Sequence, residues 1–95
     1  MTRLVDNERF ALGAVVGTPA ALDALARAGI TPQQLLRRHA RGDWGVIGAE
    51  DACLNEDALH TGARLLSAYP VGTGRVWIIT EADRSVTTLL LPEEY

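Results

Sequence analysis

The densest group of chemically capable side chains is Arg37-Arg38-His39-Ala40-Arg41, followed after Gly42 by Asp43 and Trp44. Guanidinium forks match carboxylate and phosphate geometry, so this cluster could hold an acidic protein patch, a phosphate or a nucleic-acid backbone. The plainer reading is a basic last helical turn that complements the negative end of the helix dipole and stays solvated. His39 follows Leu35 by four residues, near an apolar helix face, and precedes Asp43 by four. That spacing admits an acid–base pair or half of a metal site. More commonly, such a histidine closes a helix end by bonding a nearby loop carboxylate. His60, close to Glu56 and Asp57, could complete a His39/Asp43/His60 set, which defines one alternative function, a small metal-dependent hydrolase. No HExxH, paired cysteines or DxDxDG loop accompanies it.

Other reactive residue types lack the company they need. Cys53 lies among Glu50, Asp51 and Glu56, whose negative charge disfavours a thiolate. Ser67, Ser85, Thr87 and Thr88 fall in strand-like runs, with no GxSxG elbow around any of them. Neither GxGxxG nor GxxxxGK[ST] occurs, which removes the usual phosphate cradles, and no cofactor is expected. The polar stretch Glu81-Ala82-Asp83-Arg84 reads either as a protein-contact tip projecting from a hairpin or as an ordinary charged turn.

The elements that must position these groups are well marked. Phe10 to Val16 is a short apolar run, a strand or buried extended segment. Thr18-Pro19 and Thr31-Pro32 each place a capping hydroxyl before a proline at the first helical position. Gln34 adds a capping box to the second, with Ile30 and Leu35 at the staple positions. The helices stop at Gly29 and Gly42 and form a hairpin with almost no linker. Asp43 to Gly48 is a loop pinned by Trp44, Val46 and Ile47. A third helical stretch runs from Ala49 to about Thr61, as one helix or as two restarted at Asn55. The period then changes. Arg64–Tyr69, Val76–Thr80 and Ser85–Leu91 are β-branched or aromatic-rich runs, joined through Pro70 to Gly74 and through Ala82-Asp83-Arg84. Short connections dictate antiparallel pairing.

The expected fold is therefore α+β, one domain over residues 1–95: two or three helices packed on a three-stranded antiparallel meander. Residues 10–16 form an edge strand if they join the sheet, and the strand order stays open. Met1 to Arg9 is polar and expected to fray. The run from Ser85 to Leu91, long and free of charge, is expected to offer an exposed edge through which the chain could pair as a homodimer.

With 95 residues there is room for one core, and 47% hydrophobic content suffices to fill it. The lone cysteine cannot form an internal disulfide. Apolar runs are far shorter than a membrane helix, no leader opens the sequence as it stands, and the cytoplasm is the expectation. The net charge of −3 argues against generic nucleic-acid binding, yet six arginines fall within residues 1–42 and nine carboxylates within residues 43–95.

Several stretches together resemble a family of small, largely uncharacterised bacterial proteins common on plasmids, phages and other mobile elements. They are Arg38-His39-Ala-Arg-Gly-Asp-Trp-Gly45, Arg64-Leu-Leu-Ser-Ala-Tyr69 and Val76-Trp-Ile-Ile-Thr-Glu-Ala-Asp-Arg-Ser-Val-Thr-Thr-Leu-Leu-Leu-Pro-Glu-Glu-Tyr95, with Glu50-Asp51 and Asn55 between them. Some of these proteins bear names implying a type I restriction–modification subunit. This sequence has no Asn-Pro-Pro-aromatic motif or glycine-rich cofactor loop to match such a name. The resemblance by itself implies little about function. Joined to the small size, the lack of a catalytic constellation and the split charge, it leads to the expectation of a non-catalytic accessory or interaction protein of a mobile element, inhibition of a host defence system being one concrete version. The residues expected to carry protein contacts are Arg37, Arg38, Arg41, Asp43 and Trp44, with Glu81, Asp83 and Arg84 at the turn. A nucleic-acid-binding factor using the Arg37–Arg41 face is the remaining alternative.

Overall fold

The computed structural model describes residues 8–95. In chain order the elements are β1 (Ala14–Gly17), α1 (Pro19–Ala28), α2 (Pro32–Ala40), α3 (Ala49–Thr61), β2 (Leu65–Val71), β3 (Gly74–Thr80), β4 (Val86–Leu90) and a 3₁₀ turn at Pro92–Glu94. Local chemistry sets the helix boundaries. Thr18 Oγ1 accepts the Ala21 N–H at 3.1 Å. At α2 the capping box is reciprocal: Thr31 Oγ1 accepts from the Gln34 N–H at 3.3 Å, and Gln34 Oε1 accepts from the Thr31 N–H at 2.7 Å. α3 is continuous through Asn55, so the helix does not restart there.

Strands β2, β3 and β4 form the expected antiparallel meander, with Ser67 opposite Ile78 and Ile78 opposite Leu89. β1 completes a four-stranded sheet in the order β1-β4-β3-β2, and its pairing with β4 is parallel. Two expectations are corrected by this arrangement. Pro70 and Val71 belong to β2, leaving Gly72 and Thr73 as the turn. β4 is no edge, because β1 and β3 flank it. An uncharged run such as Val86-Thr-Thr-Leu-Leu90 suits a strand with neighbours on both sides.

Register assigns the side chains. One face carries Leu65, Ser67, Tyr69 and Val71 from β2, Val76, Ile78 and Thr80 from β3, and Thr87 and Leu89 from β4. Ala21, Leu25 and Leu35 of α1 and α2 pack there on Tyr69, Val71, Val76, Ile78 and Leu89. Beside them, Trp44 and Ala58 pack on Leu65, with Phe10, Ile47 and Leu59 around them. All three helices thus roof the same face. On the other face Tyr95 packs edge-on against Trp77, ring centroids 5.5 Å apart, and Arg64 extends over the Tyr95 ring.

The outer edge of β2 is closed residue by residue. Leu66, Ala68 and Pro70 alternate along the side away from β3. Asn55 of α3 meets Leu66 with both halves of its amide: Nδ2 donates to the Leu66 C=O at 2.7 Å, and Oδ1 accepts the Leu66 N–H at 3.1 Å. Ala68 is paired by the loop, donating its N–H to the Trp44 C=O at 3.1 Å and accepting from the Val46 N–H at 2.7 Å. This bridge needs glycine at position 45, where φ is 75° and a Cβ would lie 2.0 Å from the Ala68 carbonyl oxygen. Pro70 has no N–H to leave open.

The fraying expected for Met1 to Arg9 falls largely outside the described residues, but Arg9 itself is held. Its N–H donates to the Ala40 C=O at 2.8 Å, and its guanidinium grips Glu56 at 3.1 and 3.2 Å. Among the described residues no helix is long and apolar enough to cross a membrane.

Candidate functional site

His39 sits on the inner side of α2 because Leu35, one turn earlier, anchors that face in the core. The side chain is wholly enclosed, as are Ser67, Thr80 and Thr87 on the sheet beneath it, each at 0% exposure. His39 Nδ1 lies 2.5 Å from Ser67 Oγ, and Nε2 lies 2.9 Å from Thr80 Oγ1. Thr80 Oγ1 lies 2.7 Å from Thr87 Oγ1, which donates to the Leu12 C=O at 2.7 Å.

The last bond fixes every proton in the chain. Thr87 gives its single hydroxyl proton to Leu12, so it accepts from Thr80. Thr80, having donated, accepts from His39, which places the imidazole proton on Nε2. The Nδ1 lone pair then accepts from Ser67. A neutral ring is the form that fits, and burial, with the nearby Arg84 charge, lowers the His39 pKa to about 3. The Ser67–His39 contact resembles an activated nucleophile on paper. Here the hydroxyl is sealed from solvent, and a base of such low pKa withdraws protons poorly near neutrality.

Aromatic rings and a carboxylate close the lid over this array. The Phe10 ring meets His39 edge-on at 5.1 Å and stacks on Trp44 at 6.2 Å. Trp44 Nε1 donates to Glu56 Oε2 at 3.1 Å, the same carboxylate that Arg9 holds. Hydrogen bonds from Arg9 and Trp44 keep the Glu56 carboxyl below its ordinary pKa.

The expected contact residues divide into structural and free groups. Arg38 pairs with Asp43 through two bonds of 2.7 and 3.3 Å and lies over the Tyr69 ring. The hydrogen bond from that guanidinium holds the Asp43 carboxyl below its usual pKa; burial opposes it, and the Gly45 N–H adds a lesser pull in the same direction as Arg38. Tyr69 donates its hydroxyl to the Asp43 C=O at 2.6 Å, and burial pushes the phenol up to about 12, so it stays a donor. Trp44 is a core residue, only 6% exposed, as pinning of its loop requires, and its indole is therefore not a surface contact.

At the β3–β4 turn Asp83 Oδ1 accepts the Ser85 N–H at 3.0 Å, and the Glu81 N–H donates to the Val86 C=O. Arg84 does not project as a contact tip. Its guanidinium turns inward and donates to the carbonyls of Ala63, Ala58, Glu81 and Ala82 at 2.7 to 3.3 Å. It thereby ties the turn to the carbonyl-rich end of α3.

The hydrolase set does not assemble. His39 has both ring nitrogens engaged by hydroxyls, Asp43 is held by Arg38, and His60 stands exposed on α3. Among the described residues no three His, Cys, Asp or Glu side chains converge as metal ligands.

Arg37 and Arg41 remain exposed. They line a cleft of about 260 Å³ together with Gln33, Leu36, Leu12 and Glu8. Gln33, Arg37 and Arg41 recur every four residues and so form one row along α2. Among the described residues neither arginine has an ion-pair partner, whereas Arg9, Arg27 and Arg38 each have one.

The sequence reading missed Gln33, Leu36 and Leu12 as cleft residues, although the four-residue recurrence was there to find. It also missed Ser67, Thr80 and Thr87 as partners of His39. Their signal is a hydroxyl at inward-facing strand positions otherwise filled by Leu, Ile, Tyr and Val. Comparison with family models, curated proteins and solved structures finds no match.

Proposed function

We propose that this protein is a non-catalytic binding module that works through the α2 side of its surface. One contrast supports the reading. The array with the residue types of an acid–base site is enclosed, neutral and fully bonded within itself, while the row Gln33-Arg37-Arg41 faces outward with its charge unpaired among the described residues. A buried hydroxyl–imidazole chain fixes the seating of α2 on the sheet. An exposed pair of guanidinium groups over an apolar floor is a recognition feature. The resemblance to proteins of plasmids and phages suggests a partner in the host cell, and a defence-system component is the concrete candidate.

The test is affinity capture from bacterial lysate, comparing the wild-type protein with Arg37→Glu/Arg41→Glu by quantitative mass spectrometry. The expected result is a protein retained by the wild type and lost from the variant, with both showing the same melting temperature. Equal retention by the two, or turnover of a small substrate by the purified chain, would overturn the proposal.

A further inference from the structure

We infer that the ligand of the Arg37/Arg41 cleft is an acidic protein segment in which two carboxylates, about 6 Å apart, flank an apolar side chain. This rests on the binding-module reading and names the ligand class for the same surface. The spacing comes from the backbone: Arg37 lies in the last turn of α2 and Arg41 is its C-cap, four residues on, so the two side chains start about 6 Å apart along the helix axis. Each fork takes a carboxylate by paired N–H···O bonds. Leu12 and Leu36 line the same cleft and give an apolar side chain of the ligand somewhere to rest, and Gln33 supplies an amide at the end of the row. Glu8 also lines the cleft and repels a carboxylate placed on its side, which directs the ligand toward the α2 wall.

The features that select protein over nucleic acid are local. Among the described residues the cleft has two cations without an ion-pair partner and not a track of them, and no aromatic ring lines it on which a base could stack. The whole chain carries a net charge of −3, which opposes a polyanion and matters little to a short acidic segment.

Panning a random peptide library on the immobilised wild-type protein tests the inference, with Arg37→Ala/Arg41→Ala as the counter-target and a short DNA duplex as a separate probe. Enriched peptides are expected to carry Asp or Glu pairs two to four residues apart around an apolar residue. Synthetic copies should bind the double variant about tenfold or more weakly, lose affinity when their Glu residues become Gln, and weaken as salt rises. Gln33→Glu, which puts a repelling carboxylate in the same row, should reproduce the loss by an independent route.

Enriched peptides without acid pairs, equal binding to the double variant, no enrichment at all, or duplex binding through the same arginines would each overturn the inference. If enrichment fails while the charge-reversed variant still loses its lysate partner, the surface is right and the ligand class wrong. If both fail, the binding-module reading falls as well.

Discussion

Replacing Ser67 by alanine leaves the Nδ1 lone pair of His39 without a donor in a place that water does not reach. The expected loss is about 1–3 kcal/mol of unfolding free energy, read from denaturant titration. Thr80→Val costs at least as much, because it strands both the His39 Nε2–H and the acceptor side of Thr87. Removing the chain together with its need is a different matter. The triple variant His39→Leu/Ser67→Ala/Thr80→Val should be more stable than Thr80→Val alone, since the buried imidazole is gone and Thr87, though it still lacks a donor, keeps its own bond to Leu12. A triple variant as unstable as the sum of its parts would contradict the proton assignment. The same residue predicts a pH dependence. His39 holds its proton only below about pH 3 when folded but near the usual 6.5 when unfolded. The unfolded state therefore binds more protons between those values, and stability is full above pH 6.5 and falls as the medium is acidified. The slope His39 contributes approaches about 1.4 kcal/mol per pH unit. Between pH 6.5 and 5, where Asp43 and Glu56 stay ionised, the triple variant should lose most of that slope.

At the scale of elements, the β2 edge makes a sharper prediction than any helix. Asn55→Asp keeps the size and the acceptor toward the Leu66 N–H but replaces the Nδ2 donor by an oxygen facing the Leu66 carbonyl. Destabilisation of about 1–3 kcal/mol is expected by thermal melting, with a rise in aggregation on heating as the strand edge opens. Much of this architecture was legible in the sequence. Both Thr-Pro starts, the Gln34 box and the switch to a strand period at Arg64 depend on neighbours within a few positions, and those all appear as read. Where the reading failed, the cause was long-range. The lack of charge in Ser85–Leu91 is shared by an unprotected edge and a central strand, and only the partner supplied by residues 14–17 decides between them. Pro70 was read as a turn because proline seldom sits inside a sheet, yet an outward position on an edge strand is one place that tolerates it. Trp44 was legible as the pin of its loop, whereas Arg84 looked like a surface contact because its true partners, Ala58 and Ala63, are distant in sequence.

For the molecule as a whole, charge is sorted by what it touches and less by where it falls along the chain. The arginine-rich first half suggested a basic surface, but Arg9, Arg27 and Arg38 are each neutralised by a carboxylate, two of these, Asp43 and Glu56, coming from the acidic half. Of the arginines within residues 8–42, Arg37 and Arg41 are left exposed without an ion-pair partner among the described residues, fewer than the five-residue cluster implied. The site was half visible for this reason: residue types can be counted, whereas which charges cancel is a property of the packed structure.

The parallel pairing of β1 with β4 also has a consequence for synthesis. The first strand finds its neighbour only after some seventy intervening positions have been made, so the helical roof leaves the ribosome before its floor exists. Until β2 and β3 emerge, Leu25 and Leu35 lack the Tyr69, Val71, Val76 and Ile78 side chains on which they pack, and Leu89 arrives last. Completion of the sheet is then one late, long-range closure that seats β1 beside β4.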